Sequence, residues 1–159
     1  ISEDKIRGYR NFANKVWNAS RFVLARVEKP PEGRITYSKS DRAALARLKK
    51  LAADITKNME AFRFHHAAEK LYHFFWHAYA DKVIEQMKPR LEAPEKSRER
   101  RAAGKILWEH HTTLLKLLHP FMPFVTEAVW QATHNIQQST YNNQHTTTSN
   151  LLMIEQWPS

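Results

Sequence analysis

The sequence predicts an all-α fold, an antiparallel bundle of four long helices plus one short helix. Three observations carry this. Apolar residues recur at spacings of three and four through four long stretches, the signature of helices with one buried stripe. The 159 residues hold only three glycines, so few tight turns are available. The seven prolines fall at the ends of the periodic stretches, where they punctuate helices rather than kink them. One sizeable core suits this length, so residues 1–159 are read as a single domain.

The first helix is expected from Lys5 to Val27. On a wheel of roughly 100° per residue, Tyr9, Phe12, Ala13, Val16, Ser20, Val23, Leu24 and Val27 form its core face. The opposite face carries Arg7, Asn11, Lys15, Asn18, Phe22 and Arg26. Phe22 stands out as a large ring among basic and amide groups. Either it packs beneath a neighbouring segment, or it is a platform on which an unpaired base stacks while the surrounding groups hold phosphates and base edges.

Glu28-Lys29-Pro30-Pro31-Glu32-Gly33 then breaks the chain. Ser38 or Ser40 caps a second helix, with Asp41 favourably placed near its positive end. Ala44, Leu45, Leu48, Leu51, Ala52, Ile55, Met59 and Phe62 are its stripe. Arg63 to Arg90 reads as a third long helix that Pro89 ends. It is apolar on two sides (Phe64, Ala67, Ala68, Leu71, Phe74, Phe75 and Ala78 on one, Tyr72, Trp76, Tyr79, Val83 and Met87 on the other), which predicts a central position.

Glu92 to Arg101 is expected to be a charged connection, with a contact to a nucleic-acid backbone as its alternative. The fourth helix is expected from about Ala102 to His119, with Ile106, Leu107, His110, Leu114, Leu117 and Leu118 inward. Pro120 and Pro123 break and restart the chain. Phe121, Met122 and Phe124 are expected to plug the core and Trp130 to close it. From His134 to Asn150 the composition turns to Gln, Asn, Thr, Ser and His and reads as a polar loop. The apolar LLMIEQWP returns the chain to the bundle as a closing segment.

The formal charge of +9 and a pI near 9.9 are an electrostatic footprint for a polyanion. No run is long and apolar enough to span a membrane, and ISEDKIRG has no secretory character. The missing initiator Met suggests a fragment of something longer. The absence of cysteine removes disulfides and thiolate metal sites and suits a reducing cytoplasm.

Catalytic groupings are missing. No nucleophile has an adjacent base, and no glycine-rich loop could cradle phosphate. His65, Glu69, His73 and His77 recur every four residues, but the outer pair lie about 18 Å apart along one helix. A polar stripe, with no metal, is the expectation. Asp81 and Glu85 are expected to be ion-paired.

Several blocks resemble one family. RGYRNFANKVWNASRFVL, the KPRL of the third helix and LHPFMPFVTEAVWQ, in this order and at fitting separations, resemble the C-terminal anticodon-binding helical domain of valyl-tRNA synthetase, a class I aminoacyl-tRNA synthetase. The isoleucyl, leucyl and methionyl relatives share the bundle and remain an alternative; so does a basic helical protein-interaction module, or a metal-binding bundle. The resemblance implies that the chain holds the anticodon region of a valine-specific tRNA. It implies that ATP and Mg serve a catalytic domain elsewhere in the parent ligase, whose signature motifs are not in this chain. No cofactor is expected in the fragment, which should be non-catalytic, monomeric and cytoplasmic. By this resemblance Phe22 matches the aromatic that stacks on an anticodon base; Asn18, Lys15, Arg26, Arg7 and Asn11 join it on the helical wheel.

Overall fold

The computed structural model describes residues 2–138 and 151–158. Among them there are five helices and no strand. The first is α1, Glu3–Arg26, and the second is α2, Lys39–Glu60. The third runs without interruption as α3 (Phe64–His73), a π-helical segment (Phe74–Ile84) and α4 (Glu85–Leu91). The fourth is α5, Arg98–Leu118, and the fifth is α6, Pro123–Gln138. Asp41 at the start of α2 meets Arg90 at the end of the third helix, and Asp54 pairs with Lys70. Successive helices therefore run up and down.

Ser38 is the cap of α2. Its hydroxyl accepts from the Asp41 amide, and the Asp41 carboxylate accepts from the Ser38 amide, a reciprocal capping box. At its far end α2 stops at Glu60, where Phe62 takes a left-handed φ of 57°. The Arg63 amide donates to the Asn58 carbonyl and the Phe62 amide to Met59, a Schellman closure usually built on glycine. Phe62 is 80% exposed, so little packing offsets the strain. Phe62→Gly should raise stability by about 1 kcal/mol in chemical denaturation.

The third helix, expected to be central, packs against α1, α2 and α5, and the most central helix of all is α5. Eleven of its residues are buried, and it packs against every other helix. It also starts earlier than expected, because Ser97 caps it by accepting from the Arg100 amide. Arg98 to Arg101 are thus the first turn of a helix rather than a loop. The chain between α1 and α2 crosses the next turn of α5 closely: a Cβ on Gly104 would lie 3.3 Å from Pro31.

The third helix is underwound for a reason visible in its buried stripe. Ala67, Leu71, Phe75, Tyr79, Val83, Met87 and Leu91 are buried at strict four-residue intervals. In an α-helix each such step overshoots a full turn by about 40°, so this stripe would wind around the axis. The i→i+5 turns of the π segment hold more residues and rotate the stripe back. Pro89 does not end the helix; it sits in the last turn, and the helix runs on to Leu91.

Four rings expected inside are outside. Tyr9 is 67% exposed, because the first two turns of α1 project beyond their neighbours, with almost every residue exposed. Phe62 and Phe64 stack edge-to-face at the exposed corner between α2 and α3. Phe124 is 90% exposed, the inward positions being taken by Phe121, Met122 and Val125. Trp130 is buried as expected.

Residues 134–138, expected in the polar loop, continue α6; the rest of that expectation, residues 139–150, lies outside the described residues. The closing segment returns to the bundle through a 3₁₀ turn, Leu152–Ile154. Its Leu152 amide donates to Glu127 at 3.0 Å, Glu155 pairs with Lys116 at 3.0 Å, and the Trp157 indole donates to Thr56 at 2.7 Å.

Candidate nucleic-acid interface

The six residues Arg7, Asn11, Lys15, Asn18, Phe22 and Arg26 recur every three or four positions on one regular helix, so α1 presents them as one stripe. This stripe flanks the third helix in parallel. Lys15 donates to Asp81 at 3.1 Å, the Lys88 ammonium lies 5.6 Å from the Phe22 ring centre, and Arg26 pairs with Glu92 at 2.6 Å. Each of these pairs is separated by the same 66 positions, the mark of two helices held in constant register.

Phe22 is neither free nor fully in the core. It is half-buried against the core cluster, with the Arg26 guanidinium 5.9 Å and the Lys88 ammonium 5.6 Å from its ring centre. Two cations against one ring hold its orientation. They also place positive charge beside a flat apolar surface, as a stacked nucleotide requires.

Lys15 and Arg26 were expected to be available for phosphates. Both are instead paired with carboxylates of the neighbouring helix, and Lys15 also lies 5.4 Å from the centre of the Trp76 ring. The Lys15 hydrogen bond is the main reason the Asp81 carboxyl is held below its ordinary range, with His77 adding to it. Exposed pairs of this kind are weak, so a phosphate could displace the carboxylate. Asn11 and Asn18 are exposed and make no side-chain hydrogen bond among the described residues. Arg7 is exposed, with a loose 3.8 Å contact to Asp4.

Lys88, Trp76 and the acidic partners were missed as members of this site. Glu85, expected to be ion-paired, meets Lys88 at 2.7 Å. The histidine stripe is exposed: the His73 and His77 rings stack at 5.9 Å, and His77 reaches Asp81 at 3.5 Å. Among the described residues no three His, Asp or Glu side chains are arranged to hold a metal ion, and no helix is long and apolar enough to cross a membrane.

Comparison with known proteins agrees with this architecture. Residues 41–159 match the family described as the anticodon-binding domain of tRNA ligase. Among curated proteins, the chain is 43% identical over 136 residues to a valine–tRNA ligase of Geobacter sulfurreducens, covering 82% of this chain and 15% of that protein. It is 42% identical to the Thermotoga maritima valine–tRNA ligase, over 77% of this chain and 14% of that one. The Aquifex aeolicus valine–tRNA ligase is 35% identical, over 86% and 13%. The chain thus spans only about one seventh of the length of these relatives. A match over residues 41–159, on a bundle of this form, means that the chain belongs to the anticodon-binding domain family of tRNA ligases.

Proposed function

We propose that this bundle holds the anticodon stem-loop of a valine-accepting tRNA against the face shared by α1 and the third helix. A catalytic domain of the same polypeptide would use ATP and Mg to attach valine at the distant acceptor end. The observation that supports this most is Phe22, held between Lys88 and Arg26 on a face whose amides, Asn11 and Asn18, are unengaged. The ring offers a stacking surface for one base, the amides offer donors and acceptors to base edges, and the cations offer charge to phosphates. The bundle would act as a monomer in the cytoplasm and carry no cofactor itself.

Titration against a valine tRNA and a non-cognate tRNA, at two salt concentrations, tests this. Phe22→Ala should weaken cognate binding by about 1–3 kcal/mol, as loss of a stacking platform does. Because the ring also packs on the core, the variant should melt slightly lower. Asn18→Ala separates the two effects: it should reduce affinity with no change in melting temperature. Unchanged affinity in both variants would remove this face from the interface.

The Lys15–Asp81 pair gives a second check. Lys15→Ala should flatten the salt dependence of binding, as removing a phosphate contact does. Asp81→Asn should do the opposite: it frees Lys15 for RNA and tightens binding, most at low salt. If Asp81→Asn weakens binding, the ion pair is itself part of the recognition surface.

A further inference from the structure

A second concentration of positive charge lies apart from the α1 stripe. Residues Arg34, Ile35 and Thr36 of the segment between α1 and α2 face Arg98 and Arg101 of the first turn of α5, across a cleft of about 220 Å³. Among the described residues, three of the five that line the cleft are arginines and none is acidic. The cleft is built rather than incidental. The Arg101 guanidinium donates to the Glu32 carbonyl at 2.5 Å, which ties the segment to the helix. Gly33 next to it turns the backbone with φ of 78°, a conformation that favours glycine. Arg34 and Arg98 are exposed and form no ion pair or side-chain hydrogen bond among the described residues. The positive end of the α5 dipole adds to their field.

Like charges gathered without a counter-charge repel, and the fold keeps these three together. The occupant they suit is an anion small enough for the cleft and able to accept several N–H bonds at once, which describes a phosphate oxygen pair. The up-and-down order of the helices sets this cleft at the end of the bundle where α1 and α4 finish. That is also the end carrying Phe22, Lys88 and Arg26. We propose that the Arg34–Arg98–Arg101 cleft binds a backbone phosphodiester of the same RNA whose base meets Phe22. The proposal rests on the RNA-binding reading above. The cleft would fix the strand in place while the α1 face reads bases, so its contribution is to affinity and not to sequence preference.

The double variant Arg34→Gln/Arg98→Gln tests this and leaves Arg101 to brace the loop. Both side chains are exposed and unpaired, and removing them relieves repulsion, so the melting temperature should not fall. Affinity for the valine tRNA should fall roughly tenfold, the loss expected for one charge-assisted contact. The slope of log affinity against log salt should become shallower by about 0.7–0.9, one phosphate's worth of counterion release. The ratio of cognate to non-cognate affinity should stay as it is, whereas Phe22→Ala should lower that ratio. If Phe22→Ala weakens binding while the double variant leaves affinity and slope intact, the cleft assignment is wrong and the RNA reading stands. If the unaltered protein binds neither tRNA, both are wrong. Inorganic phosphate, titrated while the arginine side-chain N–H signals are followed by NMR, separates a cleft that takes free phosphate alone from one that takes RNA: shifts with phosphate but not with tRNA would overturn the proposal.

Discussion

Acidification from about pH 6.5 to pH 4 should remove about 6 kcal/mol of folding stability through two adjacent histidines of α5. His110 and His111 are both fully buried. Burial depresses both imidazoles to about 4 from an ordinary 6.5, and for His110 the field of Arg47 adds to it while the Ile106 carbonyl opposes it. The sign follows from which state takes up the protons. Above about pH 6.5 both rings are neutral in both states, and stability is flat. Between 6.5 and 4 the unfolded chain binds up to two protons that the folded chain refuses, so stability falls by at most about 2.7 kcal/mol per pH unit. Below 4 the folded rings accept protons too, and the histidine contribution stops changing. The total is comparable to the whole stability of an ordinary domain, so the bundle should unfold before pH 4.

Equilibrium urea unfolding at half-unit pH intervals reads this directly. The carboxylates Asp41, Asp54 and Asp81 are all held below the ordinary 3.8, so their stabilisation is lost as the unfolded carboxyls take up protons, mainly below about pH 4, and touches only the acid end of the window. His111→Leu isolates one ring. Neither of its nitrogens has a hydrogen-bond partner among the described residues, so leucine should preserve packing, relieve a buried polar group and stabilise the neutral-pH protein by about 1 kcal/mol. The pH slope should halve. His110 is less replaceable, since it hydrogen-bonds to the Ile106 carbonyl at 2.8 Å and stacks on Tyr79 at 5.8 Å. Stability that stays level down to pH 4.5 would mean that these rings are solvated.

The sequence is a good guide to where helices lie and a poor one to how they are wound and paired. The stripe of α2 and the inward face of α5 stand out because a spacing of three and four has one structural meaning. The third helix carries a stripe at intervals of four, from Ala67 to Leu91. Taken at the α-helical period this looks like two apolar faces; taken at its own period it calls for the wider turns that the π segment supplies. Ser97 is a recognisable cap, but the charged residues after it resemble a solvated loop. The composition of the α1 face is legible in the sequence, but its ion pairs are not. Nothing local connects Lys15 with Asp81 or Arg26 with Glu92, because a 66-residue register exists only once the helices are side by side. Exposure at the margins also escapes periodicity: Tyr9 fits the stripe of α1, but that stripe outruns the helices available to cover it.

The KPRL block, one of the three that carry the family resemblance, contains the principal electrostatic joint of the fold. Both Arg90 guanidinium nitrogens donate to Asp41, at 2.6 and 3.0 Å, forming a two-pronged contact between the end of α4 and the start of α2. Asp41 is buried and also accepts from the Ser38 amide at 2.9 Å. Burial alone would push its carboxyl up, but the hydrogen bonds from Arg90 and Ser38 outweigh this and hold it below the ordinary range. Asp41→Ala should therefore cost about 3–5 kcal/mol, since it strands a half-buried guanidinium and opens the capping box at once. Arg90→Met should cost a similar amount by leaving a buried carboxylate without its cation. The informative variant is the pair together. If the penalty is the desolvation of a widowed charge, Asp41→Ala/Arg90→Met should be less damaging than the sum of the two, with a coupling of several kcal/mol in the double-mutant cycle. Additive losses would mean that the fork contributes little and that each residue matters for separate reasons, Asp41 as a cap and Arg90 through its 3.3 Å contact with the Met87 sulfur. Lys88 and Glu92 lie within two residues of Arg90, so the joint that fastens α4 to α2 also fixes the turn that grips Phe22 and Arg26. Fold and interface thus depend on the same few residues at this end of the bundle.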